Sequence, residues 1–178
     1  MLFYTFLILI FCSCGRTSKS TTPSGEGKEI TLAYAQNLRM TAFEGYTRVE
    51  LRDPWKPGKT LHTYYLVGHE GTQPPGDGTV VYVPLERMVV FTTAHANLLE
   101  WLDVQRRLRL TEAKDAIADC GEAMNPNVER IVDLQSDAVL LSPFENSGGY
   151  GVLEKTGIPI IECADYMETS ALGRAEWM

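Results

Sequence analysis

The stretch NPNVERIVDLQSDAVLLS, Asn125–Ser142, decides the fold. Asn125-Pro126 supplies a helix cap with proline at the first helical position, and Val128, Ile131 and Val132 follow at helical spacing. Ala138 to Leu141 is then a short continuous apolar run ended by Ser142-Pro143. A run of that kind reads as a strand buried on both faces. Helix and strand joined by a short link form the unit of a parallel α/β sheet.

Working outward, the same grammar recurs. Met88-Val89-Val90-Phe91 is another continuous apolar run, and Thr92 or Thr93 caps a helix carrying Ala94, Leu98 and Leu102 on one stripe. Downstream, Val152 to Lys155 reads as a short helix closed by Gly157, followed by a strand over Ile158 to Ile161. Short connections between such units imply a parallel, Rossmann-like sheet wound with right-handed crossovers. Ligands on such sheets sit beyond the carboxyl ends of the strands. Those ends are Thr92 to His95, Ser142 to Ser147 and Glu162 to Met167.

Residues 30–86 read differently. Ile30 to Gln36 is apolar-rich, Tyr46 to Arg52 alternates, Leu61 to Val67 is rich in β-branched and aromatic residues, and Thr79 to Val83 closes the set. The turns at Asp53-Pro54 and Pro57-Gly58 predict a small antiparallel β extension.

The start of the chain points to export. Met1 to Phe11 is almost entirely apolar and uncharged, too short to span a bilayer of ~30 Å but long enough for a signal core. It lacks the lysine or arginine that opens an ordinary signal. Phe11-Cys12-Ser13-Cys14 then resembles a bacterial lipobox, in which a small residue precedes the acylated cysteine. Cys14 is the better candidate, because cleavage before Cys12 would place bulky Phe11 at the cut. Residues 1–13 are thus expected to be a signal peptide, and 14–29 a lipid anchor and tether. From Gly15 to Glu29 the only apolar side chain is one proline, too little to offset the entropy of ordering 15 residues. Its root-mean-square reach is roughly 20 Å. Cys120 and Cys163 remain in the exported part, where a disulfide and two free thiols are both open.

Composition narrows the partners. The 178 residues carry a net charge of −7, which argues against nucleic acid. The basic cluster Arg106, Arg107 and Arg109 reads as a solvated helix face. His62, His69 and His95 are scattered and the exported part has no Cys-x-x-Cys, so no metal site is legible and no intrinsic cofactor is expected.

Asn125–Leu134, Asp137–Ser142 and the stretch Leu153-Glu154-Lys155-Thr156-Gly157-Ile158-Pro159-Ile160-Ile161 together resemble the substrate-binding proteins of ABC importers for iron-siderophores, haem and cobalamin. The resemblance covers roughly Arg87 to Met178. Gly45-Tyr46-Thr47 and Asp53-Pro54-Trp55 resemble the β preamble of Bacteroidetes-type members. It implies the class III periplasmic-binding-protein fold: two α/β lobes joined by one long helix, with a metal chelate held between them. Residues 30–86 would be the β extension, 87–168 the N-terminal lobe, and 169–178 the start of the interlobe helix at Thr169 or Ser170. The partners implied are the chelate, an ABC permease with its ATPase, and the membrane through the lipid anchor, all in the periplasm; iron or cobalt would enter only with the ligand. The sequence departs from the pattern in three ways. It stops at Met178 where a second lobe would follow, it shows no apolar second strand over Leu110 to Cys120, and it has Ser136 in place of the family's usual proline. With half of the cleft missing, weak or no affinity is expected of this chain alone.

On that resemblance His95, Ser142, Phe144, Glu145, Asn146 and Tyr166 are candidate ligand contacts, with Met167 beside them. Glu145 also corresponds to the family's permease-docking glutamate. Thr93 reads as a cap. The loop from Pro143 to Gly151 has the glycines that let backbone amides approach a ligand, but no Gly-Lys-Ser/Thr ending for a nucleotide. Two other classes are alternatives: an exported α/β hydrolase using Ser142 or Ser147 with His95, which lacks a Gly-x-Ser-x-Gly elbow, and a surface interaction module built on the β extension. No enzyme activity is expected.

Overall fold

Alternating side chains along Leu38–Phe43 (β2) and Tyr46–Arg52 (β3) pair the two strands through a tight turn at Gly45, whose φ of 87° suits glycine. Thr60–Val67 (β4) continues the antiparallel sheet, Lys28–Ile30 (β1) edges it, and Thr79–Tyr82 (β5) completes the order β1-β2-β3-β4-β5. The computed structural model describes residues 25–68, 72–102, 120–145 and 149–178. The expected signal peptide, Cys14, Asn146, Ser147, His69, the arginine cluster and nearly all of the Leu110–Cys120 stretch lie outside the described residues.

The extension departs from its expected form in two places. β5 runs parallel to β4, with Tyr64 beside Thr79 and Val67 beside Tyr82, so the sheet is mixed rather than purely antiparallel. The apolar run from Ile30 to Gln36 is not one strand. Only Lys28–Ile30 pairs, and Ala33 to Asn37 forms a loop whose five backbone N–H groups all donate to carboxylates of the C-terminal segment. Glu176 takes Ala33, Tyr34 and Ala35 at 2.6–2.7 Å, and Glu168 takes Gln36 and Asn37 at 2.9 Å.

The second sheet is parallel, as the apolar runs require. Met88–Val90 (β6), Ala138–Leu141 (β9) and Ile160–Glu162 (β10) stand in the order β10-β9-β6. Asp137 fixes the link from the first sheet by accepting from the backbone N–H of Glu86 and Arg87 at 2.7–3.0 Å. Thr93–Trp101 (α1) follows β6, with Thr92 as its cap. Gly121–Glu122 (β7) and Asn125–Pro126 (β8) form a small antiparallel ladder, so Asn125 is not the cap that the sequence predicted. Asn127 takes that role two residues later, accepting from the Arg130 N–H at 3.0 Å at the start of Val128–Asp133 (α2). Ser136 does serve the helix exit, its hydroxyl donating to the Ile131 carbonyl at 3.0 Å. The expected helix at Val152–Lys155 is a 3-10 turn over Glu154–Thr156, closed as expected by left-handed Gly157, φ 74°. A second 3-10 turn, Asp165–Met167, leads to Ala171–Ala175 (α3), capped by Ser170. None of the described helices is long and apolar enough to cross a membrane.

Strand alternation gives each sheet two faces. Val89, Val139 and Leu141 pack with Ile131 and Leu153 into one core. Leu140 and Ile161 face the other way, toward Val49, Leu51, Tyr64 and Val81 of the mixed sheet, across a cavity of about 280 Å³ that Leu98, Leu99 and Trp177 also line. The protein is therefore a mixed α/β structure in which a parallel sheet is sandwiched between helices and a β sheet.

Candidate functional site

The exits of the three parallel strands converge on Asp165. After β6, the Thr92 cap holds the first turn of α1 so that His95 points inward, 3% exposed. Its Nε2 lies 2.9 Å from Asp165 Oδ1. Arg174 of α3 donates to Asp165 Oδ2 at 3.2 Å, and the Cys163 thiol donates to Oδ1 at 3.7 Å. After β9, the Pro143 carbonyl accepts from the Tyr166 hydroxyl at 2.6 Å. One short segment, Cys163 to Tyr166, thus ties the exits of β6 and β9 to that of β10.

The electrostatics are set by burial. Burial raises the Asp165 carboxyl, but hydrogen bonding and charge from His95, then from Arg174, outweigh it, and the group stays below the usual carboxylate range. Burial pushes the Cys163 thiol up to about 12, reinforced by the Asp165 charge, so at neutral pH it is a thiol and not a nucleophile. His95 Nδ1 is buried without a hydrogen-bond partner. An unsatisfied buried polar atom costs about 1–3 kcal/mol, which the Asp165 bond to the other nitrogen offsets.

A second polar cluster sits where β10 meets the mixed sheet. Glu162, buried, accepts from the Tyr150 hydroxyl at 2.6 Å and lies 3.4 Å from His62 Nδ1. Its backbone N–H donates to the Tyr64 hydroxyl at 2.9 Å. Burial raises the Tyr64 hydroxyl well above its ordinary range, so it remains neutral. His62 Nε2 pairs with the Thr79 hydroxyl at 2.8 Å. This cluster locks the two sheets together.

Beside the exit of β9, between the start of α2 and the loop before the Glu154–Thr156 turn, lies a hollow of about 600 Å³, walled by Met124, Asn127, Phe144, Tyr150 and Val152. Met124, Phe144 and Val152 expose 72%, 39% and 63% of their surface, unusual for large apolar groups on one rim. Of the predicted contacts, Phe144 lines the hollow; Tyr166 bonds to the neighbouring Pro143 carbonyl without lining it, Glu145 is exposed next to Phe144, and Ser142 is half-buried at the strand exit. His95 lies beneath the rim, turned into the protein, and does not face the hollow. The glycine loop also behaves unexpectedly: the Tyr150 N–H donates at 2.6 Å to Glu154, whose carboxylate sits where a Cβ on Gly149 would collide, at 2.9 Å. The amide expected to meet a ligand is taken by the protein's own anion.

Sequence reasoning missed Asp165, Cys163, Glu162 and Arg174. Asp165 is 70 residues from His95, so no spacing rule links them. The convergence of parallel strand exits was the available signal, since both residues stand just past a strand end. Cys120 and Cys163 are both free thiols, which resolves the alternative left open.

No family model matches the chain, and no solved structure matches it. An uncharacterized lipoprotein of Methanocaldococcus jannaschii is 25% identical over 122 residues, covering 56% of this chain and 29% of that protein. The chain thus spans less than a third of the length of the relative it matches.

Proposed function

We propose that this chain is the N-terminal lobe of a lipid-anchored, class III periplasmic binding protein that captures a ferric siderophore, haem or cobalamin for an ABC permease. The observation that carries this reading is the strand-tip hollow. It opens beside Phe144, just past the carboxyl end of β9, the end of a parallel strand where α/β proteins hold ligands, and its volume lies within the range of small-molecule sites. Exposed Phe144 on its wall gives a chelate or macrocycle flat apolar surface, and Tyr166, bonded to the Pro143 carbonyl, steadies the backbone that carries Phe144 before a ligand arrives. Glu145 is exposed next to Phe144, which supports assigning it to docking on basic permease residues. Anchoring through Cys14 in the cell envelope accords with the lipoprotein relative.

His95 contributes to this reading only as a support for the rim, through Asp165. The hydrolase alternative gains no nucleophile from the site, because the His95 nitrogen turned away from Asp165 is buried with no hydroxyl bonded to it and the neighbouring thiol stays protonated.

The test is equilibrium titration with haemin, ferric hydroxamate and catecholate siderophores, and cobalamin, followed by ligand absorbance and Trp fluorescence. It is run on this chain and on the same chain joined to a second lobe. The two-lobe protein is expected to bind one class saturably, with affinity falling about tenfold or more, some 1.4 kcal/mol, when Phe144 and Tyr166 become alanine. Binding by none of these classes, or binding untouched by the double substitution, would sink the reading.

A further inference from the structure

We propose that His95, Cys163 and Asp165 form a binding site for a divalent metal of the zinc class, distinct from the ligand hollow and independent of any metal carried in a chelate. One ligand atom from each of the three lies within 4.8 Å of both others. A tetrahedral zinc ion with a thiolate at about 2.3 Å, an imidazole at about 2.0–2.1 Å and a carboxylate at about 2.0–2.2 Å needs ligand atoms roughly 3.3–3.6 Å apart. Here Asp165 Oδ1 lies 2.9 Å from His95 Nε2 and 3.7 Å from Cys163 Sγ. Both edges are within about half an ångström of the tetrahedral values, a shift that side-chain rotation absorbs.

The chemistry of the set selects the metal. One soft sulfur, one imidazole and one carboxylate suit zinc or cobalt, whereas calcium and magnesium demand shells of oxygen. Charge favours it too. Thiolate and carboxylate together cancel a divalent ion, which leaves the half-exposed Arg174 guanidinium as the net charge of the loaded site, on the side open to solvent. The three ligand atoms already converge in the metal-free arrangement: Asp165 Oδ1 meets both Nε2 of His95, 3% exposed, and the Cys163 thiol, whose contact to it is a long one. Arg174 donates to the other carboxylate oxygen at 3.2 Å and so orients Asp165 toward the ion.

Binding exchanges protons for the ion. The Cys163 S–H bond breaks and its proton leaves to solvent, while the sulfur lone pair forms the metal bond. The imidazole proton on Nε2 moves to Nδ1, so that Nε2 coordinates with no net loss from the ring. One proton is released per ion at neutral pH.

Cobalt(II) serves as the probe in the full chain with Cys12, Cys14 and Cys120 changed to Ser, leaving Cys163 as the sole thiol. One equivalent is expected to produce a near-ultraviolet thiolate-to-cobalt charge-transfer band that zinc(II) abolishes by displacement, with one proton released per ion. X-ray absorption of the zinc form should show one sulfur at about 2.3 Å among lighter ligands. Cys163→Ser should remove the band with the circular dichroism unchanged, and His95→Gln should weaken affinity at least about tenfold, as loss of a ligand requires. If the triple variant does not fold, the difference between the natural chain and its Cys163→Ser form carries the same readout. A folded protein that gives no Cys163-dependent band at millimolar cobalt overturns the proposal.

Discussion

The two faces of the parallel sheet are built on opposite principles. On one, Val89, Val139 and Leu141 meet Ile131 and Leu153, all at 2% exposure or less, with apolar side chains alone. On the other, Leu140 and Ile161 are half-buried beside His95, Glu162 and Cys163, along a cavity that separates them from the mixed sheet. Side chains of one strand alternate between these environments, Val139 and Leu141 to the first, Leu140 to the second. The difference teaches where this protein keeps stability and where it keeps chemistry. The dense face needs only shape; the looser face tolerates buried ionisable groups because each has a partner on a neighbouring element.

The largest effect should come from the dense face. Ile131→Ala is expected to cost about 4 kcal/mol, toward the upper part of the range for fully buried aliphatics, since the close-packed surroundings cannot collapse into the gap. Leu140→Ala, beside a cavity already present, should cost about half as much. Urea unfolding followed by Trp fluorescence measures both. Equal losses would mean that the two faces are packed alike, and the comparison would break.

Next comes the polar cluster of the looser face. Asp165→Asn removes the charge that both His95 and Arg174 engage, and is expected to cost about 2–3 kcal/mol. The lower end of the range for buried pairs applies because Arg174 is 50% exposed and regains solvation. Asp165 is held below its ordinary range, so its contribution is present above the unfolded carboxylate value of about 4 and is lost as pH falls through the folded value. The cost of Asp165→Asn should therefore shrink below about pH 4. A cost constant from pH 7 to 3 would show that packing, not charge, holds the site.

The dense face was legible in the sequence and the looser face was not. Met88–Val90 and Ala138–Leu141 announced themselves as continuous apolar runs, because a strand covered on both faces has no polar phase to break the pattern. Leu38–Phe43 carries a clear alternation, with Arg39 and Thr41 between Leu38, Met40 and Ala42, yet it lay beside a more apolar stretch that drew the strand assignment to Ile30–Gln36. That stretch instead satisfies its amides with Glu168 and Glu176, more than 130 residues away, which no local rule reveals. The same holds for the site. His95 could be singled out by its place past a strand, but its partner was invisible because Asp165 sits in a 3-10 turn with no sequence link to it. The rim was legible as exits of parallel strands; its supports were not.

A smaller effect should sharpen the comparison at the seam between the sheets. Tyr150→Phe deletes only the hydroxyl that donates to Glu162 at 2.6 Å, and is expected to cost about 1–1.5 kcal/mol. Glu162 keeps His62 at 3.4 Å, so the carboxylate is not left alone and the cost in urea titrations should stay at that of one hydrogen bond. A cost above that of Asp165→Asn would place the critical polar contact at the seam instead of the strand tips.

The smallest effect concerns the clasp between the Ala33–Asn37 loop and the C-terminal segment. The Glu176 carboxylate is held low first by the Ala35 N–H; burial opposes this, and the N–H groups of Tyr34 and Ala33 add to the lowering. A lowered carboxyl contributes above its unfolded value of about 4.3 and ceases to do so as pH falls through the folded value. Glu176→Gln keeps an oxygen that can accept from the loop but abolishes the charge. Its stability should lie slightly below the natural chain at pH 7, and the two curves should merge as pH drops below about 4. Salt should not mimic the substitution, because three direct N–H bonds, unlike a pair across solvent, are little screened. Trp177, the next residue, donates from Nε1 to Glu168 at 3.0 Å and reports on the same clasp by fluorescence. A gap between the curves that widens in acid would mean that the protonated carboxyl is the better partner, and that the loop is held by something other than an anion.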